Sequence, residues 1–158
     1  MFDRTVETSV DVAAPPAVVW GLLTSDGMGS GSWNPLFLSV RGELKEGAAL
    51  SVTAALPGRS PHPFRVTVVT VKPEEELRWH GTLPIPGLFT GTHYFRIEPA
   101  PSSSGGGSGG TPQGSCRFVQ GEHFSGLLVP LAGGILADTE KGFQRMNEAL
   151  KRAAEQGG

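Results

Sequence analysis

The chain opens on alternation: Val6, Thr8, Val10 and Val12 share one face of Thr5–Val12, the period of a half-buried strand. Ala13-Ala14-Pro15-Pro16 stops it, and proline suits a first helical turn, where its missing N–H has no partner to lose. Val18, Val19, Leu22 and Leu23, with Trp20 on their flank, predict a short helix over 14–23. The Gly- and Ser-rich segment 24–32 reads as a loop, and Pro35 pushes Asn34 toward an extended conformation. Leu36–Leu44 and Ala49–Leu56 then predict a hairpin turning at Lys45-Glu46-Gly47. After a loop over 57–63, Phe64–Val71 alternates through Phe64, Val66 and Val68 and changes phase at Val69 and Val71, which marks a bulge. A turn over 72–75 leads to Glu76–Thr82, carrying Leu77 and Trp79. A break at Pro84–Gly87 precedes Leu88–Glu98, with Phe89, Gly91, His93, Phe95 and Ile97 on one face, and Ser115–Phe124 is the last strand. A long helix over 138–154 closes the chain, with Leu136, Thr139, Phe143, Met146, Leu150 and Ala153 at three- and four-residue spacing. Asp138 or Thr139 is expected to cap it or lie in its first turn, and Lys151 and Arg152 suit the negative end of its dipole.

This order predicts an α+β fold, a curved antiparallel β-sheet wrapped around a long C-terminal helix, with a short helix after the first strand. Such a shape leaves a cavity suited to a small apolar molecule. The whole of 1–158 reads as one domain. The Ser-Gly run within 101–114 resembles a flexible linker, yet it joins two strands that should pair, so it is read as an enlarged hairpin loop. Loop length costs only logarithmically, and residues 102–110 are expected to be disordered.

Composition narrows the partners. A net charge of −2 supplies no basic face for nucleic acid. No apolar run reaches the roughly 18–20 residues of a membrane helix; the most apolar stretch, 126–137, is broken by Pro130 and Gly133-Gly134. The N-terminus shows no leader pattern, and Cys116, the one cysteine, cannot form an internal disulfide. A cytoplasmic location is the expectation, without stable membrane insertion. The four histidines and Cys116 lack metal-ligand spacing. No dinucleotide fingerprint is present, and Ser125 lies outside any Gly-x-Ser-x-Gly elbow. Neither metal nor cofactor is expected.

The candidate chemistry sits on the last two strands. His93 shares a face with Phe89, Phe95 and Ile97, so it is either a polar group in a cavity wall, able to orient a ligand or move a proton, or a buried histidine satisfied by a neighbour. Gln120 and Glu122 share the face of Phe118 and Phe124. If register brings Glu122 to His93, the two can do general acid/base work or form a structural ion pair. Trp33 and Asn34 are candidates for the cavity mouth, although an asparagine there commonly ties down its own loop. Trp79 reads as a core or cavity-wall aromatic. Phe143 and Met146 lie on the helix face that packs inward and would touch both core and ligand.

Six local motifs recur in a characteristic order: 14–20 (APPAVVW), 33–35 (WNP), 42–47 (GELKEG), 77–81 (LRWHG), 91–95 (GTHYF) and 120–126 (QGEHFSG). Together they resemble the SRPBCC proteins of the START and birch-pollen-allergen superfamily, which includes polyketide cyclase/dehydrase-like members. The likeness spans nearly all of the chain except the Gly/Ser insertion. It implies a helix-grip fold over a hydrophobic cavity and a functional range from lipid and metabolite carriage to aromatase/cyclase chemistry, with no universal catalytic residue set. Three readings follow. The first is a non-catalytic container for a small hydrophobic molecule, a lipid or aromatic metabolite, contacted by Trp33, Asn34, Trp79, Phe89, His93, Phe95, Phe118, Gln120, Glu122, Phe143 and Met146. The second is a cyclase- or dehydratase-type enzyme using His93 and Glu122. The third is an interaction module whose cavity is filled by its own side chains. The segments 24–33, 57–63 and 84–87 are expected to border the open end.

Overall fold

A computed structural model of the protein describes residues 2–25, 28, 32–82, 87, 89–100 and 114–156. The predicted disorder at 102–110 falls outside these residues, as does most of the 84–87 break. Among the described residues the elements run β1 (Asp3–Val12), α1 (Pro16–Thr24), β2 (Phe37–Arg41), β3 (Ala49–Ala54), β4 (His62–Lys72), β5 (Glu76–Thr82), β6 (Thr90–Pro99), β7 (Cys116–Ser125) and α2 (Gly133–Glu155). The strands form one antiparallel sheet in the order β1-β7-β6-β5-β4-β3-β2. α2 lies across its inner face, the helix-grip arrangement that the order of elements predicted.

Two pairings position everything that follows. β6 and β7 run in unbroken register from Thr90 opposite Ser125 to Pro99 opposite Cys116, so the long connection between them leaves the ladder intact. β1 pairs with the other side of β7, with Val6 opposite Glu122, Thr8 opposite Gln120 and Val10 opposite Phe118. The inward residues of the first strand thereby face those of the last. β1 is an edge strand, a liability unless it is covered. A stripe along α2 covers it. Asn147 donates to Thr8 Oγ1 (2.8 Å), Lys151 Nζ to the Asp11 carbonyl (2.9 Å), and Glu155 accepts from the Ala13 N–H (2.8 Å). Lys151 also donates to Glu155 at 2.7 Å. That bond, then the Ala13 N–H, holds the Glu155 carboxyl below the usual carboxylate range.

Several boundaries differ from the pattern-based expectation. β2 ends at Arg41 rather than Leu44, because Gly42 turns the chain at φ +127°, where a Cβ would lie 2.7 Å from the Ala49 carbonyl. β3 stops at Ala54, where the next N–H, of Ala55, turns to the Leu36 carbonyl. The expected bulge in β4 is present: register shifts between Val68 and Thr70, leaving Val69 outward while Val71 returns to the core. α2 begins at Gly133, five residues before Asp138, following a 3-10 turn at Val129–Leu131. Burial of Leu136 with Phe124, Val129 and Ala132 draws the Gly133-Gly134 pair into the helix. Asp138 and Thr139 therefore do not cap it. Asp138 takes a 2.7 Å bond from Arg59, and Thr139 donates back to the Ile135 carbonyl at 2.7 Å.

On the outer face Tyr94 lies across Gly121 and donates to Glu7 Oε2 at 2.6 Å. The Arg78 and Arg96 guanidinium groups stand 5.1 and 4.8 Å from its ring centre. Burial first, then the bond and charge of Glu7, push this phenol from 10.0 up to about 12, against the opposing arginines. Tyr94 is the only tyrosine, so absorbance of the phenolate near 295 nm reports it alone. The folded state holds its proton where the unfolded chain has lost it. The stability from Tyr94 is therefore complete below about pH 10 and lost as pH rises through about 12. The expected titration midpoint is near 12 in the folded protein and returns to about 10 in denaturant. Coincident midpoints would rule out the Glu7 contact.

Candidate functional site

The inner face between sheet and α2 has a deep aromatic part and a shallower, partly accessible part. Deep inside, Phe37, Trp79, Phe95, Phe118 and Phe143 are all buried. Trp79 and Phe95 stand 5.2 Å apart between ring centres, Phe37 and Trp79 5.4 Å, and Phe95 and Phe118 6.2 Å. Met146 is buried in the same cluster. Side chains in mutual contact thus occupy the deep interior.

His93 sits in this pile, 3 % exposed. Its ring lies 4.4 Å from Phe95, 4.8 Å from Phe143, 5.4 Å from Phe37 and 5.6 Å from Trp79. A polar ring in such surroundings needs partners for both nitrogens. Nε2 lies 2.9 Å from Gln120 Oε1. Gln120, fully buried on β7, passes the bond on from Nε2 to Asn147 Oδ1 of α2 at 2.8 Å. Asn147 Nδ2 donates to Thr8 Oγ1 on β1, which donates to the Gln120 carbonyl at 3.1 Å. One polar chain thus ties β6, β7, α2 and β1 together. On the other side of the ring, Nδ1 lies 3.5 Å from Glu122 Oε1. His93 is directly opposite Glu122 in the ladder, which resolves the register that the sequence left open.

Glu122 faces the accessible part of the inner face, its side chain 21 % exposed. Beside it are two inward glycines, Gly81 and Gly91, opposite each other on β5 and β6. Both are partly exposed, as is Phe89, whereas Trp79 and His93 one step deeper are buried. The Glu122 carboxylate lies over Gly91, where a Cβ would displace it. Phe89 stacks obliquely on Phe124 at 5.4 Å and, with Val129, Ala132 and Leu136, forms a second apolar cluster beyond the polar chain.

Trp33 and Asn34 lie at the approach to β2. Asn34 is 3 % exposed and accepts from the N–H groups of Leu36 and Phe37 at 2.9 and 3.0 Å. It ties down its own loop and seats Phe37 against His93. Its Nδ2 and the Trp33 Nε1 are buried donors with no partner among the described residues, each a cost of about 1–3 kcal/mol unless another group, a ligand or water accepts from it. Asn147 and Thr8 were not among the sequence candidates. Both carried a usable signal: Asn147 is four residues after Phe143 and three before Leu150 on the inward helix face, and Thr8 is on the inward face of β1. Burial pushes the Cys116 thiol up to about 11, so it is inert. A groove of about 500 Å³ lined by Ser39, Arg41, Ser51, Thr53, Pro63 and Arg65 opens elsewhere, and none of the residues named around His93 contributes to it.

A curved antiparallel sheet gripping a long C-terminal helix defines the helix-grip class. The family described as polyketide cyclase / dehydrase and lipid transport matches residues 3–155, and the chain belongs to this family. Solved structures share the fold. The Zhui aromatase/cyclase from a Streptomyces species superposes with a TM-score of 0.72 at 16 % identity, over 98 % of this chain and 95 % of that one. Norcoclaurine synthase from Thalictrum flavum, a point mutant in complex with a transition-state analogue, gives 0.70 at 14 % identity, over 98 % and 96 %. Ara h 8.0201 gives 0.65 at 16 % identity, over 97 % and 98 %. No curated protein sequence matches significantly. Among the described residues no helix is long and apolar enough to cross a membrane.

Proposed function

We propose that the protein binds a small apolar molecule on the accessible inner face at Gly81 and Gly91, with Glu122 and His93 as its polar contacts. One observation carries this reading. Beyond the buried Trp79 and His93, two paired glycines, Phe89 and a carboxylate remain partly accessible on the inner face. The room that Gly91 leaves is taken by the Glu122 carboxylate, and at Gly81 a Cβ would meet Val66 Cγ1 at 3.2 Å, so the glycine pair lets the carboxylate lie on the inner face within reach of a ligand. Phe89 supplies apolar wall, and each Å² of apolar ligand surface removed from water contributes about 25 cal/mol. Membership of a family that spans lipid transport and cyclase chemistry supports an apolar occupant.

Native mass spectrometry of the protein taken from its own cell extract, followed by extraction of any bound molecule, tests the reading. The expected result is a stoichiometric apolar small molecule that is absent from Gly91→Val, whose side chain would occupy the space of the Glu122 carboxylate. An empty wild-type protein that also takes up no member of a panel of apolar compounds would sink it. The adjacency of His93 and Glu122 favours a second reading, acid/base chemistry on a bound polyketide-like substrate. In that case Glu122→Gln retains the ligand and abolishes its conversion. Conversion at the wild-type rate removes the enzymatic reading.

A further inference from the structure

We propose that the molecule held here carries a hydroxyl that donates a hydrogen bond to Glu122, and that Gln120, Asn147 and Thr8 are positioning residues which hold His93 for this contact. The inference rests on the binding reading above. It follows from the direction of the polar chain. Thr8 has one hydroxyl proton and donates it to the Gln120 carbonyl, so toward Asn147 it can only accept. That orients the Asn147 amide with Nδ2 on Thr8 and Oδ1 on Gln120 Nε2. Gln120 is then left with Oε1 toward the ring, and Oε1 accepts. The imidazole proton must therefore lie on Nε2. In the neutral ring Nδ1 is a lone pair, and it faces the accessible side next to the Glu122 carboxylate.

With the ring neutral, the polar groups offered to a ligand are thus acceptors. Among the described residues no N–H or O–H is hydrogen-bonded to the Glu122 carboxylate, and His93 Nδ1 at 3.5 Å lies beyond good N–H···O range. A carboxylate has about four acceptor positions; even a second ring proton, placed on Nδ1, would use one. Water can satisfy the rest while the site is open. An apolar ligand that displaces this water without offering a donor strands the carboxylate, at a cost larger than any single apolar contact returns. A ligand bearing an O–H restores the bond as it covers the group. The chain therefore selects for protic ligands over ethers and hydrocarbons of the same shape.

Titration calorimetry at neutral pH with 4-propylphenol, propylbenzene and 4-propylanisole tests this without knowledge of the natural ligand. The phenol is expected to bind about tenfold or more tighter than either relative. In Glu122→Leu that margin should vanish, with propylbenzene and 4-propylanisole binding tighter than in the wild type because no carboxylate is left to strand. Equal affinities in the wild type would overturn the hydroxyl contact and leave the binding reading standing. Binding of none of the three would overturn both. The positioning role has its own readout, the ¹⁵N spectrum of the His93 ring. The proton is expected on Nε2 in the wild type, with a mixture of tautomers in Asn147→Leu, where the Gln120 amide is free to turn. A neutral wild-type ring protonated on Nδ1, or a spectrum unchanged in Asn147→Leu, would overturn it.

Discussion

Phe95→Ala is expected to cost about 3–5 kcal/mol of folding stability, as deletion of a fully buried aromatic ring does. Phe95 has no exposed surface and stands at the centre of the ring cluster, 4.4 Å from His93, 5.2 Å from Trp79, 6.1 Å from Phe37 and 6.2 Å from Phe118. These neighbours come from β2, β5, β6 and β7, so they cannot all collapse into the space left without moving the sheet. The loss is the transfer term plus an unfilled cavity. Urea denaturation gives the magnitude. A second measurement shows the mechanism: benzene should partly restore the stability of Phe95→Ala, because an apolar cavity of that kind stays dry and takes a small apolar guest. A loss below about 1 kcal/mol, with no benzene effect, would mean that the deep interior is loosely filled and available to a ligand in the wild type. The experiment therefore separates a container that uses its whole interior from one that uses only the accessible part around Glu122.

Gly121→Ala should cost about 1–3 kcal/mol, the range of overpacking, although alanine is intrinsically better than glycine in a strand by about 0.5–1 kcal/mol. The reason is Tyr94. A Cβ at position 121 would fall on the phenol, 2.5 Å from Cζ and 2.9 Å from Cε2. The ring cannot readily swing away, because Glu7 holds its hydroxyl and Arg78 and Arg96 lie against it. The test is a double-mutant cycle. In a Tyr94→Ala background the same Gly121→Ala change should reverse sign and stabilise, since only the backbone preference remains. Equal costs in both backgrounds would show that the glycine is required for some reason other than the ring.

Most of the architecture was legible because it rests on short-range periodicity. The two-residue alternation of Val6 to Val12, the phase change at Val68–Val69 and the three- and four-residue spacing of Phe143, Met146 and Leu150 are local facts, and burial follows them. Ends were less legible. Gly133-Gly134, a break in the apolar stretch 126–137, is the first turn of α2, because burial of Leu136 outweighs a propensity of about 1 kcal/mol per glycine. His93, Gln120 and Glu122 could be placed on inward faces from the alternation alone. The motifs running from Ala14 to Gly126 carried the family.

Which of these side chains meet could not be read in the same way. Glu122 touches His93 only if the ladder keeps its register across a long glycine-rich connection, and a slip of one residue would turn every side chain of β7 to the opposite face. Thr8 and Gln120 are 112 residues apart, and Thr8 and Asn147 139. They form one chain because β1 pairs with β7 and α2 crosses both, a choice made by packing among all the elements at once. The alternation along each segment dictates a sheet, a helix and their buried faces, since local sterics and burial decide these. The direction of the hydrogen bonds around His93, and with it the chemistry offered to a ligand, exists only once those faces close on one another, since buried donors and acceptors must then be matched across the fold.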